Sequence, residues 1–195
     1  MSDSAFSMFD ASITAFRGGF RSLSGLIDKA EAFVASVASS EAALLDARLA
    51  EDMDSFRRQI QHASDTAKAC AMRLAGRSVP RIEDTESTLE ELRERIAKTL
   101  DLLDQVSPED LAGSENRTIK VNLRRRWLTF DGRSYLLEYA LPNFFFHVTT
   151  AYAILRHQGL KIGKMDYLVD VAQRRQNLPP RAAPGKSRSS TTRND

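Results

Sequence analysis

The residues best suited to chemistry lie in one apolar stretch near the end of the chain. Asn143, His147 and Thr150 are spaced i, i+4, i+7 among Phe144, Phe145, Phe146, Val148 and Ile154. On a helix they share one face, and Tyr139 extends that face by a turn. Buried polar groups need partners. An imidazole one turn from an amide could hold a metal ion, a water or a polar ligand; equally, the two could satisfy each other and the neighbouring backbone. A second polar group, Gln61, His62 and Asp65, falls on an earlier helical pattern. Asp65 could orient a ligand or act as a base, although relative to the stripe Phe56, Ile60, Ala63, Ala67 it points largely to solvent. His157 follows Arg156 at a helix end and reads as a favourable C-terminal cation. Cys70 lies on an apolar stripe and reads as a small core residue rather than a nucleophile. Arg124, Arg125 and Arg126 could bind phosphate, but their place between two strands fits a solvated turn. The sequence holds no phosphate-binding loop, dinucleotide fingerprint, His-Glu-x-x-His, serine elbow or Glu-x-x-His pair.

The elements that must carry these residues are mostly helical. Residues 8–37 repeat Phe9, Ile13, Phe16, Phe20, Leu23, Leu26, Ile27, Phe33 and Val34 at helical spacing. Gly18, Gly19 and Gly25 weaken this helix and could permit close helix–helix approach. A short helical stretch follows Ser39-Ser40. The second long helix is expected over about 52–75, with Gly76 as its stop. Val79-Pro80-Arg81-Ile82 reads as an extended linker, and residues 83–87 open the third helix. Ser87 and Glu90 have capping-box spacing, with Asp84 or Thr85 as other caps. Leu89, Leu92, Ile96, Leu100 and Leu103 give that helix its core face, and the pairs Glu91–Arg95 and Glu94–Lys98 are expected on its wet side. Pro108 starts a short piece that Gly113 ends. The period then changes: Thr118–Leu123 alternates and Trp127–Phe130 is a short apolar run, together a β-hairpin whose turn lacks glycine, leaving its register open. The fourth helix runs from about 134 to 158 and is apolar on nearly every side, as expected of a helix buried centrally or shared with a partner. Pro142 should kink or split it.

Length and composition set the frame. The chain has 195 residues, 42% apolar and 28% charged, with one cysteine and three histidines. That suggests one domain, residues 1–172, followed by a disordered basic tail, 173–195. The single cysteine excludes a disulfide framework and any Cys-x-x-Cys motif. The formal charge of +2 is misleading, because the tail carries six basic residues against Asp195 and leaves the body at 22 basic against 25 acidic. An acidic body argues against nucleic-acid binding. Neither a signal peptide nor a bilayer-length apolar run is visible, so a cytoplasmic protein with no membrane partner is expected. The expected architecture is all-α: an up-down four-helix bundle with a short β-hairpin before the last helix.

That order of elements resembles the DinB-like helical-bundle superfamily. Leu44–Ala50, Glu83–Glu86 and above all Ala140-Leu-Pro-Asn-Phe-Phe-Phe-His-Val-Thr-Thr-Ala-Tyr-Ala-Ile-Leu-Arg-His-Gln-Gly159 resemble a bacterial family known as domain of unknown function 1993, over about residues 6–168. Many superfamily members bind a divalent metal through His-x-x-x-His on the last helix, a third histidine on the second helix, and a closing glycine. On that pattern His147 matches the second histidine and Gly159 the glycine, Asn143 replaces the first histidine, and the third falls near Gln61 or His62. The resemblance implies a degenerate site in which His62 and His147 hold a metal, zinc or nickel, with Asp65 or water, and a metal-assisted small-molecule transferase or isomerase. The ligand-binding set is then Asn143, His147, Gln61, Asp65 and Tyr139. The alternative is a non-catalytic bundle that binds a small-molecule ligand or dimerises; a homodimer is expected, twofold dimers being the commonest oligomers. A catalytic site should gather His147, Asn143 and a second-helix polar group around one pocket. A His147 bonded to a backbone carbonyl would favour the alternative.

Overall fold

The computed structural model describes residues 6–37, 40–123 and 125–177. Four long helices dominate it: α1 (Ala15–Ser36), α3 (Phe56–Leu74), α4 (Leu89–Asp104) and α6 (Leu141–His157). The shorter helices are α2 (Glu41–Asp46), α5 (Gly132–Ser134), α7 (Lys164–Tyr167) and α8 (Val169–Gln176). Strands β1 (Ile119–Leu123) and β2 (Arg126–Phe130) form an antiparallel hairpin. The architecture is a helical bundle in which α3 packs on α4 and α6, and α1 packs on both of the same partners. Their apolar stripes meet in one core that includes Phe16, Phe20, Ile60, Ile96 and Phe144, as amphipathic helices require.

The close approach of α1 to α6 depends on one glycine. A Cβ on Gly19 would lie 2.3 Å from the Phe144 ring, and Phe144 also meets Phe16 and Phe20 edge-on at 4.9 and 5.2 Å. Gly76 does stop α3: with φ +70 it lets Arg77 N–H reach the Met72 carbonyl at 2.8 Å.

Several boundaries differ from expectation. The α3 helix starts at Phe56 rather than near 52, because the chain turns at 50–53 and Ser55, its N-cap, is still extended. The α4 helix starts at Leu89, and its capping box is Thr88 with Glu91, one residue beyond Ser87–Glu90. Glu91 is thereby committed to the cap, and Arg95 is not its partner on the wet side. Arg95 is fully buried against α3 and binds Asp65, Asp84 and Glu86; Glu94–Lys98 does pair, at 3.4 Å.

Pro142 sits in the first turn of α6, where the helical stretch changes from π to α geometry. A π-helical segment, Tyr135–Ala140, joins α5 to α6, and Leu141 N–H bonds to Leu136, five residues back. The wider turn absorbs the missing proline N–H. The hairpin register pairs Val121 with Leu128 and Leu123 with Arg126, and Arg125 turns the chain at φ 70 with its N–H on Asn122 Oδ1. Arg124 of the arginine cluster lies outside the described residues. Trp127 and Leu128 remain exposed. The expected tail boundary at 172/173 falls inside α8, and residues 178–195 lie outside the described residues. No helix among the described residues is long and apolar enough to cross a membrane.

Candidate functional site

The α3 and α6 helices run antiparallel, and their polar residues meet in steps. The rings of His62 and His147 lie 4.9 Å apart, tilted by 34°. One turn on, Asn143 Nδ2 donates to Thr66 Oγ1 at 2.7 Å. Two turns further, Arg73 Nη1 donates to the Tyr135 hydroxyl at 2.9 Å. Ala69 and Tyr139 fill the gap, with Tyr139 stacked on Tyr135 at 5.9 Å. These residues, with Asp65 at the edge, line a cavity of about 220 Å³. A larger one, about 520 Å³ between the N-terminal segment and Leu136–Leu137, has mainly apolar walls and no imidazole.

The proton positions at the histidines follow from their partners. Gln59 Nε2 donates to the Asp54 carbonyl at 2.8 Å. A carbonyl can only accept, so the amide is oriented with its Oε1 towards His147 Nδ1, 2.8 Å away. That oxygen can only accept in turn, so Nδ1 carries the hydrogen and Nε2 keeps a lone pair. Burial, and secondarily the His62 charge, push the His147 pKa down to about 4 against the pull of Asp54. His147 is therefore neutral at physiological pH, and its basic atom is Nε2. The Asp54 carboxylate accepts from His62 Nε2 at 3.0 Å. Asp54 thus orients both histidines, one through its side chain and one through its carbonyl.

The structure gathers His147, Asn143, His62, Asp65 and Tyr139 around one cavity. Gln61 is not among them. It is almost fully buried and faces the 79–88 segment, donating to Glu86 Oε2 at 2.7 Å and accepting from Arg58. Thr150 also leaves the face and donates to the Phe146 carbonyl. Asp65 does not simply face solvent; its Oδ1 accepts from Lys68 at 2.9 Å and Arg95 at 3.0 Å. His147 binds a side-chain amide, not a backbone carbonyl. Cys70 is buried, and desolvation pushes its thiol pKa up, so it is not a nucleophile. Sequence reasoning missed Asp54, Gln59, Thr66, Arg73 and Tyr135. Thr66, Ala69 and Arg73 continue the His62 face at i+4, i+7 and i+11, so extending that face would have found Arg73.

The donor set bears on the metal that the superfamily resemblance implies. With Asn143 in place of a histidine and its amide nitrogen spent on Thr66, only two imidazoles remain, and Asp65 is held by two cations. Among the described residues no group of three or more His, Cys, Asp or Glu is placed to hold a metal ion. These residues do not fit a three-histidine centre.

A helical bundle with a polar cleft between two antiparallel helices is the class of protein that the fold and site define. A solved structure of similar shape is a DinB family member protein from Shewanella denitrificans, 39% identical, covering 91% of this chain and 96% of that one, with a TM-score of 0.75. The family model for Domain of unknown function (DUF1993) matches residues 8–168, and the chain belongs to that family. No curated protein matches it.

Proposed function

We propose that the α3–α6 cleft is a small-molecule site in which neutral His147 accepts a proton at Nε2. The supporting observation is the fixed path from the Asp54 carbonyl through Gln59 to His147 Nδ1, which leaves the basic lone pair on a ring that lines the cavity. Such a base can take a proton from a substrate nucleophile in a transfer reaction, or move one between substrate atoms in an isomerisation. Asn143 and Thr66 supply hydrogen-bonding groups one turn away. The bundle that holds them is read as an up-down four-helix arrangement, in keeping with the antiparallel α3 and α6, inside a cytoplasmic protein.

Long-range nitrogen NMR on histidine-labelled protein tests this. His147 should be protonated at Nδ1 alone at pH 7 and stay neutral almost to pH 4. A ring protonated at Nε2 would remove the base, and one titrating near 6.5 would show that burial does not hold it neutral. Metal analysis after equilibration with zinc, nickel and manganese gives an independent check. A stoichiometric ion that is lost in His147→Ala would replace the base with a metal centre.

A second reading, a homodimer built on the last helix, is favoured by Leu137 and Phe146, which stand 50% and 55% exposed there. Leu137 lies in the π-helical segment and Phe146 in α6, so the reading requires the two to join in one contiguous apolar patch, the feature that marks an association surface. Light scattering at micromolar concentration should give twice the chain mass, and a monomer would overturn it.

A further inference from the structure

The cleft has a second polar end that the proton acceptor does not use. Arg73 lies three turns along α3 from His62, about 16 Å at 1.5 Å per residue. Its guanidinium bonds the neutral Tyr135 hydroxyl and lies 5.9 Å from that ring's centre. Among the described residues, no carboxylate pairs with it. Other half-buried arginines are matched: Arg93 by Asp28 and Glu31, Arg57 by Asp46, Arg17 by Asp104. Asp65, the carboxylate that lines the cavity, is already held by Lys68 and Arg95. The positive charge of Arg73 is therefore uncompensated within the cavity wall.

Tyr135 adds a donor to that charge. Its side chain is almost fully buried, and its oxygen accepts from Arg73. Its own hydrogen meets no acceptor among the described residues. Burial raises the phenol pKa, so the hydrogen stays on at any physiological pH. A guanidinium that spends one N–H on a neutral phenol and has no carboxylate partner, beside a phenolic O–H with no acceptor among the described residues, suits the two oxygens of a carboxylate.

We infer that Arg73 and Tyr135 form an anion subsite, and that the cleft takes a small organic carboxylate. Its anionic end sits on Arg73 and the Tyr135 hydroxyl, its body lies along Tyr139, and a hydroxyl or other acidic hydrogen at its far end faces His147. A carboxylate suits the site better than a phosphate, because one arginine and one phenol match one charge and two oxygens, and the wall beyond them is the Tyr139 ring. Only the far-end contact rests on the proposed base at His147.

Calorimetric titration of the full chain with benzoate, benzamide, 4-hydroxybenzoate and inorganic phosphate tests both ends separately. Benzoate should bind in the millimolar range or tighter, and benzamide much more weakly. Arg73→Gln should weaken benzoate about tenfold or more, the loss of a charge-assisted hydrogen bond, while Arg73→Lys keeps part of the affinity. Arg77→Gln, a solvent-facing control paired with Asp110, should change nothing. Each variant's melting temperature shows that it is folded. Equal binding of benzoate and benzamide, equal benzoate affinity in wild type and Arg73→Gln, tighter binding of phosphate than of benzoate, or no saturable binding of either benzoate overturns the subsite. The 4-hydroxyl reports on the other end: it should tighten binding in wild type and lose that gain in His147→Gln. If the gain is absent while Arg73→Gln still weakens benzoate, the anion subsite stands and the base at His147 falls.

Discussion

Two polar assemblies flank α3, and they are built to opposite ends. On the α4 side, Arg95 is wholly buried and meets Asp65 at 3.0 Å, Asp84 at 3.0 Å and Glu86 at 2.9 Å, with the Glu83 carbonyl as a further acceptor. Among its donors Nε alone lacks a partner. On the α6 side, Arg73 has no carboxylate among the described residues, Tyr135 keeps a free hydrogen, and His147 keeps a lone pair. The first assembly uses its charges to tie the 79–88 segment and α4 to α3. The second leaves its charge and hydrogen-bonding capacity open towards a cavity. A polar group whose partners are all internal is architecture, while one whose partners are incomplete at a cavity is a binding site.

The largest effect should come from breaking the closed assembly. Arg95→Met leaves the buried Glu86 without its cation, while Asp65 keeps Lys68 and Asp84 keeps Arg58, and should cost about 3–5 kcal/mol in urea unfolding. A loss below about 1 kcal/mol would mean that this cluster is no more committed to the fold than the open one. Next comes Gln59→Leu, which removes the link between Asp54 and His147. It should cost about 1–3 kcal/mol for the unpaired groups it leaves, and the NMR spectrum should show the fixed His147 tautomer giving way to a mixture.

A smaller effect is expected from pH. His147 has a pKa of about 4 in the fold and an ordinary value near 6.5 in the unfolded chain. Between those values the unfolded state binds more protons, so this residue lowers stability as pH falls through the window and has no such effect above it. Melting temperatures of wild type and His147→Gln should converge from pH 7 to pH 4, by less than a fully buried ring would give because the imidazole is only partly buried. Parallel curves would show that burial does not hold the ring neutral. Smallest of all, Arg73→Gln should shift stability by no more than about 0.5 kcal/mol, in contrast to Arg95→Met. A loss comparable to that of Arg95→Met would erase the distinction between the two sides of α3.

How much of this was legible in the sequence depends on the range of the interaction. The face Tyr139, Asn143, His147 was readable because helical periodicity alone puts these residues together. Gly76 and Gly113 were readable as stops, since both take a positive φ where the chain turns. Gln59 was not, because it became important only when α6 brought His147 to it from 88 residues away. Arg95 was misread for the same reason: beside Glu91 it has the spacing of an ordinary surface pair, and only the packing of α3 and the 79–88 segment over it shows that it is buried. Gln61, next to His62, was placed on the wrong side because one step along a helix turns a side chain by about 100°.

The sequence by itself determined the helical stripes, the hairpin and the polar face of the last helix, since these are set by spacing within a single element. Only the tertiary structure decided which helix faces that polar stripe, and therefore that His147 is neutral, that Asp54 orients two histidines, and that Arg73 of α3 has a neutral partner while Arg95 of α4 has three carboxylates. Protonation and charge balance depend on burial and on partners brought from distant parts of the chain, and local periodicity carries no record of either.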